Sequence, residues 1–106
     1  MFQQRAEPRF LCSELVRVRV GREQAVANLE DISPSGACLQ VERAIREGDA
    51  LEIVGAKCRL RGIVKYCRWS GAGYQVGVRF DPGKSWNLNR FEPSYFLPLA
   101  IRGGQR

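Results

Sequence analysis

Two short runs of this chain hold side chains able to grip an anion and read a heterocycle. Arg5-Ala6-Glu7-Pro8-Arg9 sets two guanidiniums four residues apart. Pro8 forbids a regular helix there and biases Glu7 towards an extended conformation, so both guanidiniums can turn to one ligand. Arginine suits such a grip, because its planar fork makes two parallel bonds to a phosphate or to O6 and N7 of a guanine, and its flat face stacks on a base. The second run is Asp31-Ile32-Ser33-Pro34-Ser35-Gly36. Its carboxylate can accept two N–H bonds from a guanine edge, a hydroxyl stands nearby, and glycine admits backbone close to a ligand. Taken singly, each run has a plainer reading. Two arginines make a solvated basic terminus, and Asp, Ser, Pro and Gly make a turn between strands.

The elements that must position these runs are strands. Val16, Val18 and Val20 alternate with Arg17 and Arg19. Ala25, Ala27 and Leu29 share a face, then Ala37, Leu39 and Val41, then Leu51 and Ile53. Cys58, Leu60, Gly62 and Val64 alternate with Lys57, Arg59, Arg61 and Lys65, and Tyr74, Val76, Val78 and Phe80 give the cleanest period of two. Gly21-Arg22, Gly55-Ala56 and Gly71-Ala72-Gly73 mark hairpins. Six short strands joined by tight turns predict an all-β fold, a closed or nearly closed antiparallel barrel. One helical turn is expected over 43–47 and a short helix over 84–91, limited by Pro93 and Pro98. Trp86, Phe91, Tyr95 and Phe96 are expected to cover one barrel end rather than touch a ligand, and 102–106 to fray. With 106 residues the chain reads as a single domain: an arm over 1–12, a barrel over 13–80 and a helix or tail over 81–106.

Charge and composition narrow the functions. Lys and Arg outnumber Asp and Glu by 17 to 11, a net charge of +6. Lys57, Arg59, Arg61, Lys65, Arg68 and Arg79 fall between Ile53 and Phe80 with no acid among them, and such a face attracts an anion. With no histidine, Ser-His-Asp and Cys-His arrangements are impossible, and no Gly-rich loop with Lys-Ser/Thr opens a helix, so no enzyme is expected. Cys12, Cys38, Cys58 and Cys67 include no CxxC pair, which points to reduced, half-buried thiols rather than a metal site, with two disulfides in an exported form as the lesser alternative. No apolar run reaches the ~20 residues needed to span a bilayer, and 1–10 lack the apolar stretch of a secretory signal, so the expected location is the cytoplasm.

Arg-x-x-x-Arg near the start, followed after one hairpin by Asp-x-Ser-x-x-Gly, resembles the PilZ domain family, here through Arg5, Arg9, Asp31, Ser33 and Gly36. The resemblance extends over about residues 5–80, through the run from Leu29 to Leu39, Val64-Lys65-Tyr66-Cys67-Arg68, and Tyr74-Gln75-Val76-Gly77-Val78-Arg79-Phe80. It implies a six-stranded antiparallel barrel with a C-terminal helix, and binding of cyclic di-GMP under a wrapping arginine arm. By the same resemblance Arg5 and Arg9 hold phosphate and guanine, Asp31 and Ser33 read a guanine edge, and Gly36 permits close approach. Gln4 stands where some relatives carry a second Arg, which favours one ligand per site. Tyr66, Arg68 and Trp69 are candidates for an added stacking surface, and Glu7 is expected to pair with one of the arginines. The implied partners are the messenger and a protein effector, with no cofactor, metal or membrane insertion. Two rivals remain. One is a basic barrel for single-stranded nucleic acid, disfavoured because Tyr74 and Phe80 fall in the core register; the other is a degenerate module that binds only protein.

Overall fold

The computed structural model describes residues 7–55, 58–83, 86 and 93, and the backbone of 97 and 98. Its strands are β1 (Phe10–Val20), β2 (Glu23–Ser33), β3 (Gly36–Val41), β4 (Ala50–Val54), β5 (Arg59–Trp69), β6 (Tyr74–Phe80) and a two-residue β7 (Leu97–Pro98). The hydrogen-bonded order is β2-β3-β6-β5-β4-β1-β7, and β1 also pairs with β2. Six antiparallel strands therefore close on themselves, with β7 added beside the start of β1. The all-β barrel read from the sequence is the fold of this chain.

Alternation decides what faces inward. Val16 and Val18, Ala27 and Leu29, Leu39 and Val41, Leu51 and Ile53, Leu60 and Val64, and Val76, Val78 and Phe80 are all buried. Fully burying one such side chain is worth about 1.5–3 kcal/mol, so this filling dominates the stability. Trp86 is only 1% exposed, its ring meets Phe10 edge-on at 5.7 Å, and its backbone N–H donates to the Pro34 carbonyl at 3.0 Å. It closes one end of the barrel as expected; Phe91, Tyr95 and Phe96 lie outside the described residues, as does the helix expected over 84–91 apart from Trp86.

Several local expectations change. No helical turn forms over 43–47. The Ile45 N–H donates to Cys67 Sγ at 3.4 Å, its side chain packs on the core, and Gly48 turns the chain at φ 90°. Backbone donors drawn to other partners leave no helical ladder. The β4–β5 hairpin closes with Gly55 N–H donating to Cys58 O at 2.9 Å, so it brackets 56 and 57 rather than turning on Gly55-Ala56; those two residues lie outside the described set. Ala25 is exposed although it shares parity with Ala27, because β3 accompanies β2 only as far as Asn28. The Gly21-Arg22 hairpin forms as read, Val20 pairing with Glu23 and Gly21 taking φ 61°.

Three register shifts break the period of two. On β1 three steps from Leu11 to Glu14 match two on β2; on β2 Glu30 is extra between Leu29 and Asp31; on β5 Lys65 is extra between Val64 and Tyr66. A bulge of this kind exchanges the faces of every residue beyond it. Leu29 is sealed in the core, and an unbroken alternation would bury Asp31 beside it. With Glu30 inserted, Ile32 is buried at 0% exposure and Asp31 stands outside. Lys65 does the same on β5, turning Tyr66 and Arg68 outward while Cys67 packs on the core.

Candidate functional site

Asp31 pairs with Cys38, Cys38 with Gly77, and Gly77 with Tyr66, so one outward row crosses β2, β3, β6 and β5. Three interstrand steps of about 4.8 Å make it about 14 Å long. At one end Arg9 Nη2 donates to Asp31 Oδ2 at 2.9 Å, with the arginine side chain 59% exposed and the aspartate 15%. At the other end the Arg68 guanidinium lies 4.3 Å from the centroid of the Tyr66 ring. Glycine at 77 is what seats that ring, since a Cβ built there would collide with Tyr66 Cε2. The Tyr66 hydroxyl meets Cys38 Sγ at 3.8 Å.

The electrostatics follow from this packing. The hydrogen bond to Asp31, and then its charge, push the Arg9 guanidinium pKa up. Burial pushes the Cys38 thiol up to about 11, against the Tyr66 contact, which lowers it, and burial likewise raises the Tyr66 phenol. The raised thiol and phenol stay protonated at neutral pH, beside the Arg9 and Arg68 guanidiniums and the Asp31 side chain. That set can bind an anion and a flat ring, and nothing in it is poised to act as a nucleophile.

The Asp-to-Gly run is both strand and turn. Asp31 and Ser33 end β2, Pro34-Ser35 turn the chain, and Gly36 opens β3 opposite Ser33. The buried Ser33 hydroxyl donates to the Gly36 carbonyl at 3.3 Å. A Cβ at Gly36 would strike the Val78 carbonyl, so in this structure the close approach that glycine permits is by β6. The turn is fastened from outside: Phe80 N–H donates to Ser35 O, and Ser35 Oγ donates to Glu7 Oε1 at 2.7 Å. Glu7 is thus tied to the turn serine, where the sequence suggested an arginine partner.

Of the candidate residues, Arg9, Asp31, Tyr66 and Arg68 converge on the row, with Ser33 and Gly36 beside it. Trp69 does not join them; it pairs with Tyr74, meets that ring edge-on at 5.3 Å, and falls on the face opposite Arg68. Gln4 and Arg5 lie outside the described residues. Sequence reasoning did not single out Cys38 or Gly77 for the site, and named Arg79 only as part of the basic stretch; Arg79 is exposed and paired with Gly36. Gly77 carried a signal, for a glycine inside an apolar strand marks a close approach. The cleft of about 1130 Å³ between the first half of β2 and 40–46 is away from this row; it carries Arg43 and Arg46 among Glu23, Glu42 and Asp49, so acids outnumber cations, and no aromatic ring lines it. Among the described residues no cluster of His, Cys, Asp or Glu could hold a metal ion.

A closed antiparallel barrel with its converging polar groups on the outer wall belongs to the ligand-receiving β-barrels. The chain matches the PilZ domain over residues 3–91 and belongs to that family. The family is one of cyclic di-GMP receptor domains, ligand-binding and adaptor modules rather than enzymes. No curated protein matches the chain.

Proposed function

We propose that this chain is a cyclic di-GMP receptor that holds the messenger on the outer row and signals to a protein partner through its N-terminal arm. Arg5 and Arg9 grip phosphate and guanine, Asp31 and Ser33 read a guanine edge, and Gly36 keeps the turn low beneath the ligand. Tyr66 and Arg68 offer the second base a stacking surface. Trp69, turned towards Tyr74, drops out of that set, and Gln4 in place of a further cation favours one ligand per site.

The observation that carries the reading is the 2.9 Å ion pair between Arg9 and Asp31, residues 22 apart that belong to the two separate runs. A dianionic ligand offers Arg9 stronger, charge-assisted bonds and offers Asp31 a pair of ring N–H donors. Binding therefore exchanges one exposed ion pair for contacts at both ends, and reorders the arm as it does so.

Calorimetric titration with cyclic di-GMP tests this. The wild-type chain should bind, and Arg9→Ala should lose about 2–4 kcal/mol. No binding at high micromolar ligand, or an Arg9→Ala variant that behaves as wild type, rejects the assignment in favour of a module that binds only protein. Tighter binding to single-stranded oligonucleotides, fading steeply with salt, would point to the nucleic-acid barrel instead.

A further inference from the structure

The basic surplus is not concentrated at the row just described. On the far side of the barrel, Val26, Arg17, Val54 and Arg59 form one outward rank across β2, β1, β4 and β5, and Gln24, Arg19, Glu52 and Arg61 form the next. All four arginines are exposed. The one acid between them, Glu52, has a side chain only 19% exposed and forms ion pairs with Arg19 at 3.3 Å and Arg59 at 3.7 Å, which brace both guanidiniums over it. Val26 is 62% exposed directly opposite Arg17, and Leu15, 74% exposed, stands one diagonal step away on β1.

We propose that this face docks the protein on an anionic lipid surface. Four cations against one sunken carboxylate complement a layer of phosphates, and arginine can bind lipid phosphate in bidentate fashion. The two protruding aliphatic side chains stand at the cationic ranks, where they would reach the acyl boundary beneath the headgroups. Nucleic acid fits less well. The described aromatic residues Phe10, Tyr66, Trp69, Tyr74, Phe80 and Trp86 are all placed elsewhere, so single-stranded bases find no stacking platform. A duplex would leave Leu15 and Val26 against phosphate and water. Docking here leaves the Arg9–Asp31 end clear, and the proposal stands independently of the messenger reading.

The test is co-sedimentation of the full chain with vesicles of phosphatidylcholine alone or of equimolar phosphatidylcholine and phosphatidylglycerol, at low and high salt. Binding should require phosphatidylglycerol and fade with salt. Each cation near the surface multiplies partitioning by about fivefold, so Arg17→Ser with Arg59→Ser should weaken it about 25-fold. Leu15→Ser with Val26→Ser should also weaken vesicle binding while leaving any retention by duplex DNA unchanged. All four positions are exposed, and a thermal melt checks that each variant folds. Equal binding to phosphatidylcholine alone, or binding to the mixed vesicles that ignores both pairs of substitutions, overturns the proposal. So does duplex DNA displacing the vesicles at matched phosphate while the aliphatic pair proves irrelevant.

Discussion

Gly77→Ala is the substitution that most directly asks whether the outer row is the ligand surface. The added methyl would overlap the Tyr66 ring at Cε2 and come within 2.5 Å of Cζ and 2.7 Å of Cδ2, so the ring must lift away. The change forfeits the Tyr66–Arg68 stack and part of the packing of a half-buried ring, about 1 kcal/mol in all, or roughly 4–8 °C in Tm. The backbone need not change, since Gly77 is not among the glycines at positive φ. Binding should suffer more than stability: base stacking on an aromatic is worth about 1–3 kcal/mol, so the Kd for cyclic di-GMP should rise roughly 5- to 150-fold. Titration calorimetry of Gly77→Ala, Tyr66→Ala and the double variant, each with a thermal melt, gives the answer. In the Tyr66→Ala background the alanine at 77 should cost almost nothing further, because the clash has gone. An affinity for Gly77→Ala within about twofold of wild type, or an undiminished cost in the Tyr66→Ala background, would refute the reasoning.

Deleting Glu30 should remove the bulge while leaving Asp31 outward and Ile32 inward, because Leu29 and Asp31 then follow Leu39 and Cys38 one for one, so urea denaturation should show a loss below about 3 kcal/mol; a loss above about 4 kcal/mol would deny that Glu30 is the extra residue. Glu7→Ala removes the 2.7 Å tie between the arm and Ser35 and should tighten ligand binding up to about fivefold by freeing the arm, with calorimetry as the readout and weaker binding as the contrary result. Burial raises the Cys12 thiol to about 12 and the Cys38 thiol to about 11, from the 9.0 of a free thiol. Because the folded values lie above the unfolded one, these groups contribute fully below pH 9.0, and their contribution is lost as the pH rises through 11 and 12. Cys38→Ala should flatten the part of that decline between about pH 9 and 11, by up to about 3 kcal/mol, in denaturant titrations over the alkaline range, leaving the part above it to Cys12.

The strands were legible because burial on one face leaves a period of two, and the core residues from Val16 to Phe80 follow it. The bulges were not legible. An inserted Glu30 or Lys65 differs in type from no other solvent-facing residue, and only the partner strand's register reveals that it is extra. That is why Tyr66 and Arg68 could be singled out as candidates while Trp69, one residue further, could not be told from them; their faces separate only once the ladder with β6 is known. Asp31 and Ser33 were found by residue type and spacing, whereas Gly77 and Cys38 matter through what lies across the sheet from them. The turn over 43–47 failed for a related reason, since Cys67 on β5 accepts the Ile45 N–H.

The outer row runs across the ladders and not along any one strand, so each of its four members hangs from a different strand. A molecule fixed at Asp31 and at Tyr66 would act as a clasp over β3 and β6, which lend it little more than a thiol and a bare α-carbon. Occupancy would then register as slowed amide exchange in those two middle strands, and any partner sensing a stiffened wall could do so without touching the messenger.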